Sequence, residues 1–248
     1  MAKKRMSSIL IIGIVLLVIA IVLGIYTTGI GTCVIGSGNV DSETRSVDIF
    51  HSAELRGWGN LYITQNGASE ISIEAEDNIL PLLKTYVTSG KLIIENELLT
   101  CIRPTKPVNV YVSMEEVKQL SVSGSGDIIG QTKITSDSLG VAISGSGNID
   151  LDVDAKKLST SISGSGNAKL KGVATTHDVM FSGSGKIQSY ELVTEETTLT
   201  ISGSGNSEVF ASNELDVTIS GSGNVYYKGN PANVNTQISG SGKLEKVD

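Results

Sequence analysis

The 248-residue chain is poor in rings, with seven Tyr, three Phe and one Trp making up 4% of it. So few rings exclude a core built on aromatic side chains, and with 28 glycines the apolar residues suit a narrow interior of stacked aliphatics. Cysteine is scarcer still. Cys33 and Cys101 are too few for a disulfide scaffold and stand in no metal-ligand spacing such as C-x-x-C. The sequence leaves open whether the two pair. His51 and His177 are distant and have no recognisable partner, so neither a Ser-His-Asp triad nor a histidine metal centre can be assembled from them. Bases are also short. Lys3, Lys4 and Arg5 are the only charges among the first 33 residues, and residues 34–248 hold 16 bases against 26 acids, a net charge of −10. Such a surface repels phosphate, which argues against a nucleic-acid partner. No cofactor is expected.

What the chain has in quantity is one phrase. Ser-Gly-Ser-Gly begins at Ser123, Ser144, Ser163, Ser182, Ser202, Ser220 and Ser239, and the second glycines follow one another at steps of 21, 19, 19, 20, 18 and 19 residues. A fixed period near 19 is the signature of one supersecondary unit stacked on itself. Directly before each copy stand Val122, Ile143, Ile162, Phe181, Ile201, Ile219 and Ile238, and two residues earlier Leu120, Val141, Thr160, Val179, Leu199, Val217 and Thr236. The residues between, from Ser121 to Gln237, are mostly small or polar. A period of two with one apolar face is a strand with one side buried.

If each strand ran straight on, both glycines of the phrase would point inward, where the missing Cβ permits a corner. Strands that meet the same corner every 19 residues stack in parallel, each coil hydrogen-bonded to the next at about 4.8 Å. The expected fold is therefore all-β, a parallel β-helix or β-solenoid, right-handed by the crossover rule. The polar residues after the glycines, Asp127, Asn148, Asn167, Lys186, Asn206, Asn224 and Lys243, should form a ladder along one edge.

Ahead of the array the chain divides into a basic tail (1–8), an uncharged apolar segment (9–30), a linker (31–44) and irregular coils (45–117), with regular repeats over 118–248. The run from Ile9 to Tyr26 spans 18 residues without a charge, about 27 Å as a helix, which fits the hydrocarbon of a bilayer. The basic flank places the tail in the cytoplasm and everything after about residue 31 outside, as a single-pass signal anchor. A cleaved secretory signal fits less well, because the run is long and no A-x-A-like site follows. Lipidation of Cys33 would put Thr32 where a lipoprotein signal has a smaller residue.

Within the irregular region, Ile35-Gly36-Ser37-Gly38-Asn39 repeats the phrase in isolation, and Gly57-Trp58-Gly59-Asn60 repeats it with Trp58 in place of serine. Together with LYITQN, EAEDNILPLL and the late SGSGNVYYKGNP, the ISGSGN repeats resemble the putative auto-transporter adhesin, head GIN domain family, over about residues 35–245. The resemblance implies a secreted or envelope-attached β-helical domain and carries over no catalytic residue.

Two features invite a functional reading. Asp150, Asp152 and Asp154 lie on one strand face, each about 6.6 Å from the next, a spacing that suits an inverting glycosidase pair or a Ca²⁺ site. A solvated face that keeps an acidic protein soluble explains them as well, and they are weak metal candidates. Trp58 either caps the end of the rod or contacts a partner. His177, on the inward parity where other copies have Leu139, Leu158, Leu215 and Val234, is expected to play a structural role at a coil edge. The favoured function is a non-enzymatic one, an extracytoplasmic β-helix held to the cell membrane by its N-terminal helix and engaged in adhesion or cell-envelope interaction. Cell-surface polysaccharide or protein would be its partner. The alternative is a β-helix that binds or cleaves polysaccharide.

Overall fold

A computed structural model describes residues 33–97 and 101–248. The expected transmembrane segment, 9–30, lies outside the described residues; among those described, no helix is long and apolar enough to cross a membrane.

The first strands are β1 (Val34–Ile35), β2 (Val40–Arg45), β3 (Ser52–Gly57), β4 (Asn60–Gln65), β5 (Glu70–Glu76), β6 (Leu83–Thr88), β7 (Lys91–Asn96), β8 (Ile102–Arg103) and β9 (Asn109–Met114). The regular part follows as β10 (Gln119–Gly124), β11 (Asp127–Gly130), β12 (Ile134–Gly145), β13 (Asn148–Gly164) and β14 (Asn167–Gly183). It continues with β15 (Lys186–Gln188), β16 (Leu192–Gly203), β17 (Asn206–Phe210), β18 (Glu214–Gly221), β19 (Asn224–Lys228), β20 (Asn233–Gly240) and β21 (Lys243–Lys246). From β10 onward every pairing is parallel, and the register joins each residue to its counterpart one repeat later. The protein is a parallel β-solenoid.

The expected internal column is present. Val122, Ile143, Ile162, Phe181, Ile201, Ile219 and Ile238 are joined in that order by the register, and the first six are no more than 2% exposed. Ile238, in the last coil, is 40% exposed. The two glycines of each phrase divide the work that the sequence assigns to both. The first, as at Gly145 (φ +125°) and Gly164 (φ +125°), is half-buried in a left-handed conformation, and a Cβ there would overlap the carbonyl oxygen of the equivalent glycine one coil earlier. The second is buried and leaves room for the column side chain of an earlier coil. A Cβ on Gly147 would overlap Val122, one on Gly166 would overlap Ile143, and one on Gly205 would overlap Phe181. Only the first glycine takes the left-handed conformation, while the second lets successive backbones approach and, in these coils, leaves room for the column side chain.

A second corner has no glycine to announce it. On β13 the inward residues are Ile149, Leu151, Val153 and Ala155; Lys156 and Lys157 are then both exposed, and the inward parity resumes at Leu158. Each coil slips by one residue there, and Asp137, Lys156, Thr175 and Glu195 drop out of the paired register.

The N-terminal end is built differently. The coil β3–β4 is paired on one side with β10 and β11 and on the other with β7 and β9. The chain therefore lays down one coil, doubles back to build the layer beneath it, and then crosses to the opposite side to begin the array. Antiparallel strands finish this end, with β6 on β7, β5 on β9 and β2 on β5. Residues 31–44, expected to be a linker, are thus strand over Val34–Ile35 and Val40–Arg45. Pairing with β8 and β5 satisfies their backbone groups and covers the edge that a bare coil would expose. Cys33 and Cys101 are joined in a disulfide beside the short β1–β8 pair. Glu76, fully buried, fixes the same corner. Its carboxylate accepts hydrogen bonds from the Gly38, Thr105 and Lys106 amides and from the Thr105 hydroxyl. Burial works to raise its pKa, but those four donors outweigh burial and hold it at about 2.

Candidate functional site

The outward face of the strands after the Ser-Gly-Ser-Gly corner presents the ladder that the sequence announces. Register places Asp127, Asn148, Asn167, Lys186, Asn206, Asn224 and Lys243 in one row. The Asn148 side-chain amide donates to Asp127 at 2.7 Å, that of Asn167 to Asn148 at 2.8 Å, and that of Asn224 to Asn206 at 3.0 Å. Asn60 and Asn109 extend the pattern into the irregular coils, 2.9 Å apart. Lys186 interrupts the chain of amides and turns to Glu208, at 2.5 Å. Asn60, Asn148, Asn167 and Asn224 each give one amide donor to a neighbour, so the row repeats the same polar chemistry at the coil spacing.

The aspartate row lies on the same face. Asp150 is aligned with Lys169 and 3.5 Å from its amine, and Asp152 is 3.6 Å from Lys133. Asp154 is exposed and faces the second corner. Among the described residues, no group of three or more His, Cys, Asp or Glu is close enough to hold a metal ion. Alternating with lysines across the coils, Asp150 and Asp152 form a charge-paired sheet face; pairs this exposed add only about 0.2–1 kcal/mol each.

Farther along the face, Tyr226 lies beneath the Lys243 amine and Tyr190 beneath that of Lys228, at 5.2 and 5.4 Å from the ring centroids. Register sets Glu208 next to Tyr226 and Phe210 next to Lys228. Tyr190, Phe210 and Tyr226 therefore gather on the last coils, while Tyr227 packs on the core. Trp58 is half-buried and packs on the core, closing a gap with Leu55, Ile94, Val108 and Val110 between the first coil and the layer beneath it. His177 is the first inward residue after the second corner. It is 1% exposed, stacked between Leu158 and Thr197, with its Nε2 3.0 Å from the Thr160 hydroxyl. Burial pushes its pKa down to about 4.

The second corner carries a feature that the glycine pattern conceals. An open groove of about 820 Å³ runs along it, from Glu116 and Lys118 to Ser212. Its floor is formed by the buried Ala155, Ala174 and Thr194 and its sides by the exposed Val173 and Val193. Lys118 and Lys156 on the rim pair with Glu116 and Asp137. The adjacent exposed residues that break the inward parity, such as Lys156-Lys157 and Glu195-Glu196, are the sequence signal from which this corner could have been found.

These features define a class of protein: a β-solenoid capped at its N-terminal end, with a periodic polar face and a long lateral groove. The chain belongs to the putative auto-transporter adhesin, head GIN domain family, whose model matches residues 49–231. Its fold is similar to that of a putative adhesin from Bacteroides fragilis, at 24% identity and a TM-score of 0.81, over 86% of this chain and 100% of that one. A putative lipid binding protein from Parabacteroides distasonis matches at 24% identity and a TM-score of 0.71, over 88% of this chain and 100% of that one. A putative adhesin from Parabacteroides merdae does so at 24% identity and a TM-score of 0.65, over 87% of this chain and 99% of that one. No curated protein matches the chain.

Proposed function

We propose that this protein is a non-enzymatic, membrane-anchored solenoid that projects outside the cytoplasm and works in adhesion or in contact with the cell envelope. The observation that carries this is the periodic face. Amide and carboxylate groups recur at the coil spacing of about 4.8 Å, linked side chain to side chain from Asp127 to Asn167 and from Asn206 to Asn224. A repeating polar surface suits contact with another extended, repeating surface better than it suits a single bound molecule. Membership of a family of putative adhesins supports the same reading. The Cys33–Cys101 disulfide agrees with an oxidising compartment outside the cytoplasm, and the uncharged run of residues 9–30 behind Lys3, Lys4 and Arg5 supplies the anchor.

A second reading, recognition of a polysaccharide strand, is favoured by the groove at the second corner, which crosses consecutive coils and would accept an extended polymer. The full-length protein in detergent is to be screened against glycans, intact bacterial and host cells, and lipid vesicles, the last because one relative is called a lipid binding protein. Retention on cells or envelope material without change to either is expected. Release of shorter oligosaccharides from a polysaccharide would overturn the non-enzymatic reading. Protease added outside intact cells should digest the solenoid and spare a short N-terminal fragment, and protection of the whole domain would reverse the orientation.

A further inference from the structure

The two faces of the coil stack are treated differently. At one, antiparallel β2, β5 and β6 close the layer formed by β7 and β9. At the other, among the described residues β20 pairs only with β18, and all eight of its residues are exposed. Val234 and Ile238, which continue the inward columns of Leu215 and Ile219, are 42% and 40% exposed, whereas those two are buried to within 1%. The hydrophobic stack thus runs out onto an unpaired strand edge, the feature that most readily recruits another strand.

We infer that β20 pairs with β20 of a second copy of this chain, antiparallel and about a two-fold axis at Thr236, so that two solenoids join end to end. Three observations single out a second copy. First, β20 carries no charged residue, whereas of the equivalent strands only β10, which is paired on both sides, is also uncharged and β12, β13, β14, β16 and β18 each carry at least one charge. In a domain with a net charge of −10, such a neutral strand is where two like-charged copies can approach each other. Second, the strand is self-complementary. Antiparallel pairing centred on Thr236 sets Val234 against Ile238 of the second copy, Asn235 against Gln237 and Asn233 against Ser239, apolar with apolar and polar with polar. Third, the backbone is in phase. The Asn233 amide donates back to Asn213, and amide direction alternates along a strand, so Val234, Thr236 and Ile238 direct their free N–H and C=O groups outward. In this register those three residues form the hydrogen-bonded pairs of the new ladder.

An eight-residue strand is about 26 Å long, so the contact is well below the roughly 1,600 Å² of a standard stable interface. The association is therefore concentration-dependent. Sedimentation of the full-length protein in detergent over a concentration series should show the protein mass doubling and going no higher. Thr236→Cys tests the register directly, because directly opposed residues of a hydrogen-bonded pair lie about 5.5 Å apart at Cα, within disulfide range. Mild oxidation should convert this variant to a reductant-sensitive dimer and leave Asn230→Cys, in the turn before β20, monomeric. The double variant Val234→Lys, Ile238→Lys should stay monomeric at every concentration with its melting temperature kept, which separates loss of pairing from loss of fold. Monomer throughout the wild-type series would overturn the inference. So would equal cross-linking through Asn230→Cys, growth beyond a dimer, or doubling that survives the two lysines.

Discussion

Replacing His177 with leucine should remove much of the acid sensitivity of this domain between pH 6.5 and about 4. The imidazole is buried and stacked between Leu158 and Thr197, and it shares a hydrogen bond with the Thr160 hydroxyl at 3.0 Å. Burial takes its pKa from 6.5 down to about 4, because the charged form would have to give up water for an aliphatic stack. Above pH 6.5 the ring is neutral whether the chain is folded or not, and it contributes no pH dependence. As the pH falls through 6.5 the unfolded chain takes up a proton that the folded chain refuses until near pH 4, so stability drains away across that window. The gap between the two values corresponds to about 3 kcal/mol, or roughly 6–12 °C in melting temperature for a domain of this size. At neutral pH the leucine should fit, since Leu158 and Leu215 occupy the same column. The stranded Thr160 hydroxyl would then cost about 1–3 kcal/mol, and Thr160→Val, which copies Val141 and Val179 of the neighbouring coils, should recover most of it. Thermal melts of wild type, His177→Leu and the double variant at pH 7.5 and 4 decide the matter, because carboxylate titration is common to all three and cancels in the difference. Equal losses on acidification in all three would refute the reasoning.

Gly205→Ala should destabilise the array by about 1–3 kcal/mol or more, because the added methyl would overlap the Phe181 ring. Ser204→Ala, one residue earlier and exposed, should change stability by no more than about 0.5 kcal/mol, and equal effects in denaturant titrations would contradict the packing role given to the second glycine. Replacing Asp150, Asp152 and Asp154 together with asparagine should leave the melting temperature nearly unchanged and independent of Ca²⁺, since Asp150 and Asp152 face lysines; a Ca²⁺-dependent rise in the wild type that the triple variant lacks would restore them as a metal site. Opening the Cys33–Cys101 bridge, which closes a separation of 68 residues, should cost up to about 4 kcal/mol on the chain-entropy account. The loss should appear first as hydrogen exchange in β1, β2 and β8, and unchanged protection there would show that the Glu76 contacts hold the corner alone.

The repeat phrase by itself determined the coil. A large apolar residue one place before Ser-Gly-Ser-Gly in each copy dictates an inward column, and the step of about 19 residues dictates parallel stacking in register, because any other pairing would put polar side chains in the core. The Asn ladder follows from that register, and the family was recognisable from the same residues. What the sequence alone could not decide depends on contacts between segments far apart in the chain. The pairing of β3 with both β7 and β10 reverses the order of the first layers, and no local pattern encodes that. Residues 31–44 read as a linker along the chain, and the strands β1 and β2 find their partners there only when β8 and β5 lie alongside, just as Glu76 shows its role only when Gly38, Thr105 and Lys106 converge on it. The inward parity of His177 is legible along the chain, but its seat between Leu158 and Thr197 and its contact with Thr160 are set by the register. Asp150 and Asp152 look like possible ligands on their own strand and become ion-paired surface once Lys169 and Lys133 arrive from neighbouring coils. Periodicity is local and additive and can be read along the chain, whereas the partners of a single carboxylate or imidazole are set by which strands the fold brings alongside it.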